Sequence, residues 1–192
     1  APATSPPMPQ SGDPTTALLP IVDSIGLTDG MSVAEVSSGP GLFLPSLSAA
    51  VGTAGRVFAI DDSPRLVEYL EQRVAAEGLT NVSVVRNDGK TLALVNTQVD
   101  RVFVCDAYRA FKNQSTMLAS ILRILAPGGQ LIIVESAEIG AASDQQQEAG
   151  EPESSRQLIQ SAIEDAGFEY LQEIAVSELP QGFLLRFAKP VE

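Results

Sequence analysis

Two glycines, Gly39 and Gly41, follow an apolar run at residues 31–36, and a carboxylate pair, Asp61 and Asp62, follows a second run at residues 56–60. Glycines at the end of a strand remove side chains from the turn, so the backbone can approach a ligand where the next helix begins. A carboxylate about twenty positions further on can accept hydrogen bonds from both hydroxyls of a ribose. This spacing implies a nucleoside-type ligand. The dinucleotide pattern Gly-x-Gly-x-x-Gly would need glycine at position 44, where Leu44 stands, and a nicotinamide cofactor is therefore disfavoured. Further along, Asp88 sits in Asn87-Asp88-Gly89, which on its own reads as a turn, and Asp106, Tyr108 and Arg109 follow the apolar stretch at residues 99–105.

Composition removes many other chemistries. The chain has no histidine, so Ser-His and Cys-His pairs, a histidine proton shuttle and a histidine-ligated zinc are impossible. Its single cysteine, Cys105, allows neither an internal disulfide nor a cysteine metal cluster, and no metal site is expected. At the end of an apolar strand, Cys105 reads as a small buried hydrophobe. Twelve basic against 24 acidic residues give a net charge of −12, which argues against nucleic acid as a partner. No apolar run approaches the roughly 18 residues that a membrane span needs.

The elements that must position these residues alternate along the 192-residue chain. Asp13-Pro14 reads as a cap and first-turn proline for a helix over 13–27. A strand at 31–36 and a helix at 42–51 follow, then a strand at 56–60. Ser63-Pro64 opens a helix that runs to Gly78, and a strand at 82–85 comes next. Residues 99–105 form a fourth strand, 115–125 a helix, and Pro127-Gly128-Gly129 a turn into a fifth strand at 130–134. After a loop at 136–155 come a last helix at 156–166 and two strands, 170–176 and 183–187, joined through Pro180-Gln181-Gly182. Strands apolar on both faces and separated by helices specify a parallel sheet covered on both sides, with a terminal hairpin completing it. The expected class is therefore α/β, a Rossmann-like parallel sheet with helices on both faces and a C-terminal antiparallel strand. Residues 13–192 form one domain behind a Pro/Ser-rich leader at 1–12.

In their order, these segments resemble the class I S-adenosylmethionine-dependent methyltransferase family. The carriers are Val33-Ala34-Glu35-Val36-Ser37-Ser38-Gly39-Pro40-Gly41, Ala59-Ile60-Asp61-Asp62-Ser63-Pro64, Asn87-Asp88, the stretch from Val99 to Tyr108, and Leu125-Ala126-Pro127-Gly128-Gly129-Gln130-Leu131. Together they span about residues 30–134, and Asp165-Ala166-Gly167-Phe168 with the final strand resembles the family's tail. The resemblance implies S-adenosylmethionine as cofactor, held by Glu35, Ser37, Gly39, Gly41, Asp61, Asp62 and Asp88. Within that set, Asp61 would hold the ribose and Asp88 the adenine amino group.

Two departures bear on activity. Ser37 stands where the family most often has its first glycine, and a side chain there narrows the approach of the cofactor's methionine part. After the fourth strand, related small methyltransferases often carry a tyrosine and two histidines, whereas this chain reads Tyr108-Arg109-Ala110-Phe111. Methyl transfer needs alignment and desolvation more than a strong base, so an already nucleophilic acceptor is still served. Tyr108 and Arg109 are the candidates to orient an acceptor and Asp106 to take its proton, packing under the next helix being the alternative for Tyr108 and Phe111.

The expected function is S-adenosylmethionine-dependent methylation of a small neutral or cationic acceptor. The alternative is a catalytically inactive methyltransferase-like domain serving as an extracytoplasmic binding or scaffold subunit with a protein partner. The acidic run Glu135, Glu138, Asp144, Glu148, Glu151 and Glu153 reads either as a lid that repels anionic substrates or as a solvated loop. Ala1 and the proline-rich start suggest a processed, periplasmic or secreted chain, with a trimmed cytoplasmic chain as the alternative.

Overall fold

The computed structural model describes residues 14–136, 152–177, 179 and 182–191. In chain order its elements are α1 (Pro14–Ile25), β1 (Ser32–Val36), α2 (Leu44–Val51), β2 (Arg56–Asp61), α3 (Pro64–Ala76), β3 (Val82–Arg86) and β4 (Val99–Cys105), followed by a 3-10 turn (Tyr108–Ala110), α4 (Gln114–Ile124), β5 (Leu125–Glu135), α5 (Pro152–Asp165), β6 (Glu169–Ile174) and β7 (Phe183–Ala188). All seven strands form one sheet in the order β3-β2-β1-β4-β5-β7-β6. β1 to β5 pair in parallel, and β7 runs antiparallel to both β5 and β6. This is the α/β class expected, with the terminal hairpin placing β7 against β5.

Both faces of the inner parallel strands are buried, as continuous apolar runs require, while the edge strand β3 leaves Ser83 and Arg86 exposed. Alternate residues such as Ala34, Val102, Val104 and Ile133 pack with Met117 and Ile121 of α4 and with Ile159 and Ile163 of α5. The intervening residues Val33, Phe103 and Val134 pack with Ile21 of α1, Leu47 of α2 and Leu70 of α3. Each fully buried large aliphatic side chain contributes about 1.5–3 kcal/mol, so the two layers stabilise the sheet from both sides.

Local signals set the element ends. Ser63 accepts the Leu66 N–H at 3.4 Å and Pro64 occupies the first helical turn of α3. Asn113 caps α4 by accepting the Thr116 N–H at 2.9 Å, one position before the expected start. α5 begins at Pro152, inside the segment expected as loop. Proline's fixed φ and missing N–H suit a first helical position, a signal that the acidic composition masked. The expected Pro127-Gly128-Gly129 turn lies inside β5, because Leu125 already pairs with Val99 and Gln130 with Arg101, leaving the intervening residues as an irregular excursion. β6 stops at Ile174, short of the expected end. The leader, the Asp13 cap, the acidic residues Glu138, Asp144, Glu148 and Glu151, and the Pro180-Gln181 link lie outside the described residues.

The strand order reverses between β1 and β4: successive strands are added toward β3 on one side and toward β5 on the other. Crossovers diverge there, and the carboxyl ends of these two strands open the crevice where ligands of open α/β sheets bind.

Candidate functional site

Ser37 is the first residue after β1 and Asp106 the first after β4, and both take left-handed backbone conformations, with φ of 58° and 50°. The two strand ends are neighbours, Val36 pairing with Val104. A left-handed residue turns the chain sharply off each strand and holds the crevice open between them. The loop after β1 is then pinned by backbone donors: Ser38 N–H reaches the Ile60 carbonyl at 3.0 Å and Gly39 N–H reaches Asp61 Oδ2 at 3.0 Å.

The two glycines do different work. A Cβ on Gly39 would meet nothing within 4 Å, so this backbone faces open space, with φ of 54°. A Cβ on Gly41 would stand 2.7 Å from side-chain carbons of Leu44 and Leu70, so Gly41 serves the packing of α2 on α3. Arg73, which the sequence does not single out, reaches across from α3 and donates to the carbonyls of Pro40 at 2.7 Å and Gly41 at 2.9 Å.

Asp61 is buried and accepts the Ser63 N–H at 2.9 Å on Oδ1, besides the Gly39 N–H on Oδ2. Each carboxylate oxygen retains acceptor capacity for a hydroxyl. Asp62 instead pairs with Lys112. Both side chains are well exposed, so this ion pair contributes little to stability. Asp88 is exposed and closes its own turn, Oδ1 accepting from the Thr91 and Lys90 amides at 2.8 Å each. Those amides, Thr91 first, hold its carboxyl below the usual range. Of the seven expected cofactor residues, Gly39 and Asp61 are joined with Ser37 beside them, Glu35 is buried at the end of β1, Gly41 serves packing, and Asp62 and Asp88 bond away from the loop.

Glu35 lies beneath the loop, 3% exposed, with Oε2 lacking any hydrogen-bond partner. Burial pushes its carboxyl up to about 8, with Arg73 pulling the other way. On the β4 side, the Asp106 carboxylate is occupied by Ser136, whose N–H reaches Oδ1 at 2.6 Å and whose hydroxyl reaches Oδ2 at 3.0 Å. Tyr108 is buried, its hydroxyl has no partner, and its ring meets Phe111 edge to face at 5.8 Å. Arg109 is half exposed and its Nε lies 3.4 Å from Glu135 Oε2. Cys105, expected as a small buried hydrophobe, is half-buried, and its thiol, pushed up by burial, lies 3.7 Å from Asp106 Oδ2.

Glu135, the last residue of β5, is a further candidate that the sequence hides, since there it reads as the first charge of the acidic segment. Its Oε1 is buried without a partner. Burial raises its carboxyl to about 7, Arg109 opposing and Asp106 reinforcing the shift. Among the described residues, no group of three or more histidine, cysteine or carboxylate side chains is arranged to hold a metal, and no helix is long and apolar enough to cross a membrane.

The donor set fits a molecule with a ribose. Open backbone at Gly39 and the spare acceptor capacity of Asp61 suit a vicinal diol, while the orphaned Oε2 of Glu35 beneath the loop leaves a polar group for a ligand to meet. The "Methyltransferase domain" family matches residues 33–129, about half of the chain. The chain is 27% identical over 115 residues to the ubiquinone/menaquinone biosynthesis C-methyltransferase UbiE of Shewanella pealeana, covering 59% of this chain and 46% of that protein. Against the demethylmenaquinone methyltransferase of Staphylococcus aureus it is 28% identical over 118 residues, covering 62% of this chain and 48% of that one. It thus spans about half the length of these curated relatives. The crystal structure of a SAM-dependent methyltransferase from Aquifex aeolicus superposes with a TM-score of 0.74 at 25% identity, covering 93% of this chain and 99% of that one. With the family's sequence pattern matched from β1 to the turn inside β5 and the fold shared nearly end to end, this chain belongs to the class I S-adenosylmethionine-dependent methyltransferases, and its cofactor is S-adenosylmethionine.

Proposed function

We propose that this chain transfers the methyl group of S-adenosylmethionine to a small neutral or cationic acceptor. The observation that carries the reading is the bond from Gly39 N–H to Asp61 Oδ2, which joins open backbone and a buried ribose-type acceptor at the strand-order reversal. In this reading Ser37, Gly39 and Asp61 hold the cofactor, Glu35 faces its positive charge from below, and Asp62 and Asp88 flank the adenine end. When bound, the cofactor supplies an electrophilic methyl carbon on a sulfonium. The chain's own task is alignment and exclusion of water.

A groove of about 210 Å³ runs between the 3-10 turn and α5, lined by Tyr108, Arg109, Gln114, Leu158 and Ile159 among others. It supports docking of a small acceptor, with Tyr108 and Arg109 orienting it and Asp106 fixing the start of the segment that leaves β5. The carboxylates Asp106 and Glu135 beside the end of β4 and the net charge of −12 disfavour an anionic acceptor. The relatives' names, a ubiquinone/menaquinone biosynthesis C-methyltransferase and a demethylmenaquinone methyltransferase, favour a neutral one.

The test is calorimetric titration with S-adenosylmethionine and S-adenosylhomocysteine, followed by transfer of a radiolabelled methyl group to a set of neutral and cationic small molecules. Saturable binding and label in at least one acceptor are expected. A folded protein that binds neither ligand would end the reading, and binding without transfer to any acceptor would point to the binding-subunit role instead.

A further inference from the structure

Side chains alternate between the two faces of a strand. On β5, Ile133 faces α4 and α5 while Val134 faces α1, α2 and α3, so Glu135 turns toward α4 and α5, the side that carries the groove. On β1, by the same pleat, Ala34 and Val36 face α4 and α5, so Glu35 lies on the opposite face beneath the glycine loop. The two orphaned carboxylates therefore serve different sides of the sheet. A group that lines the groove holds Glu135: Arg109 Nε lies 3.4 Å from its Oε2. Tyr108 lines the same groove, and its buried hydroxyl has no partner. A buried hydroxyl and a buried carboxylate oxygen, both unmatched, call for a ligand that supplies an acidic X–H.

We propose that Glu135, rather than Asp106, takes the proton that a weakly acidic acceptor gives up as it is methylated, with the Tyr108 hydroxyl bound to the same acceptor. This rests on the methyltransferase reading above. The acceptor's oxygen or nitrogen forms the bond to the methyl carbon, the carbon–sulfur bond breaks with its electron pair passing to sulfur, and the X–H proton passes to Glu135 Oε1. Water later removes that proton. Asp106 is a poorer base because Ser136 donates to both of its oxygens. Glu135 titrates near the pH at which a general base works best, with Arg109 and Asp106 as the charged groups facing it.

The probe is 2-naphthol, a flat weak acid whose excited state hands its proton to an adjacent base and then emits as the naphtholate. Emission of the bound fraction, resolved by its anisotropy, is compared in the wild type and Glu135→Gln, each with S-adenosylhomocysteine titrated in the same sample. The wild type is expected to bind 2-naphthol and emit as naphtholate, and Glu135→Gln to bind it while emitting as the neutral naphthol. Equal naphtholate emission from both proteins, or no 2-naphthol binding by the wild type, overturns the proposal. A second readout needs no variant: the Glu135 carboxyl-¹³C signal of the wild type should titrate near 7 and move on 2-naphthol binding, and a signal indifferent to the probe overturns the assignment. Absent S-adenosylhomocysteine binding brings down the methyltransferase reading and this role with it. Intact S-adenosylhomocysteine binding with an indifferent Glu135 removes this role alone.

Discussion

The backbone N–H of Gly39 donates to Asp61 Oδ2 at 3.0 Å, tying the loop that leaves β1 to the last residue of β2. The same carboxylate caps the turn into α3 through Ser63 N–H. Asp61 is therefore the clasp that shapes the loop, and in the proposed reading also the group that holds the ribose. Asp61→Ala should lower affinity for S-adenosylhomocysteine by about tenfold to a hundredfold, as loss of hydrogen bonds to a charged group implies. It should also cost about 1–3 kcal/mol of stability, because two amide donors lose their acceptor. Calorimetry and urea unfolding read the two effects separately. Unchanged affinity would place the ribose elsewhere.

Ser37 carries a φ of 58°, a conformation that costs a side-chain-bearing residue about 1–2 kcal/mol and glycine almost nothing. Glycine's greater freedom in the unfolded chain offsets part of the relief. Ser37→Gly should therefore raise the urea midpoint slightly, by a stability gain of about 0.5 kcal/mol, and tighten S-adenosylmethionine binding by clearing the loop. Ser37→Val, β-branched at the same φ, should destabilise by about 2 kcal/mol. A Val variant as stable as the wild type would show that this backbone relaxes to negative φ.

Glu35 has a carboxyl raised to about 8 by burial, against an ordinary value near 4.5. Between those values the folded chain keeps a proton that the unfolded chain has released, so stability falls as pH rises through that window. Glu135, raised to about 7, adds a decline in the same direction. Glu35→Gln removes the larger contribution. Its stability should fall less than that of the wild type between pH 5.5 and pH 8, and at pH 8 it should exceed the wild type by roughly 2–4 kcal/mol. Urea unfolding at the two pH values checks this. Equal slopes for both proteins would mean that Glu35 is ionised and paired in the folded state.

What was legible in the sequence is what local pattern controls. Apolar runs at β1, β2, β4 and β5 mark buried parallel strands, and the glycines and carboxylates that follow them fall at the crevice because parallel strands share one carboxyl edge. What register and pleat decide was hidden. Glu135 reads as the start of an acidic segment until its alternation with Val134 puts it on the face of α4 and α5 and its pairing sets it against Arg109, which lines the groove. Arg73 reads as an exposed helix residue, since its partner carbonyl at Gly41 lies 32 positions earlier in the chain. Asp106 reads as a free carboxylate at a strand end until Ser136 is found on both its oxygens.

The Tyr108 hydroxyl is buried without a partner, and an unmet donor of this kind costs about 1–3 kcal/mol. Tyr108→Phe keeps the ring, its edge-to-face contact with Phe111 and the burial beside α4, and removes only the unmet group. Stability of the unliganded protein should rise by about 1 kcal/mol, seen as a higher urea midpoint with an unchanged slope. Affinity for 2-naphthol should fall, because the hydroxyl is the donor that its oxygen would meet in the groove. Opposite signs for stability and binding are what a group kept for a ligand produces, whereas a merely packed tyrosine would leave binding unmoved. A variant that lost stability would instead mean that the hydroxyl has a protein or water partner, and that the groove offers an acceptor no free donor at this position.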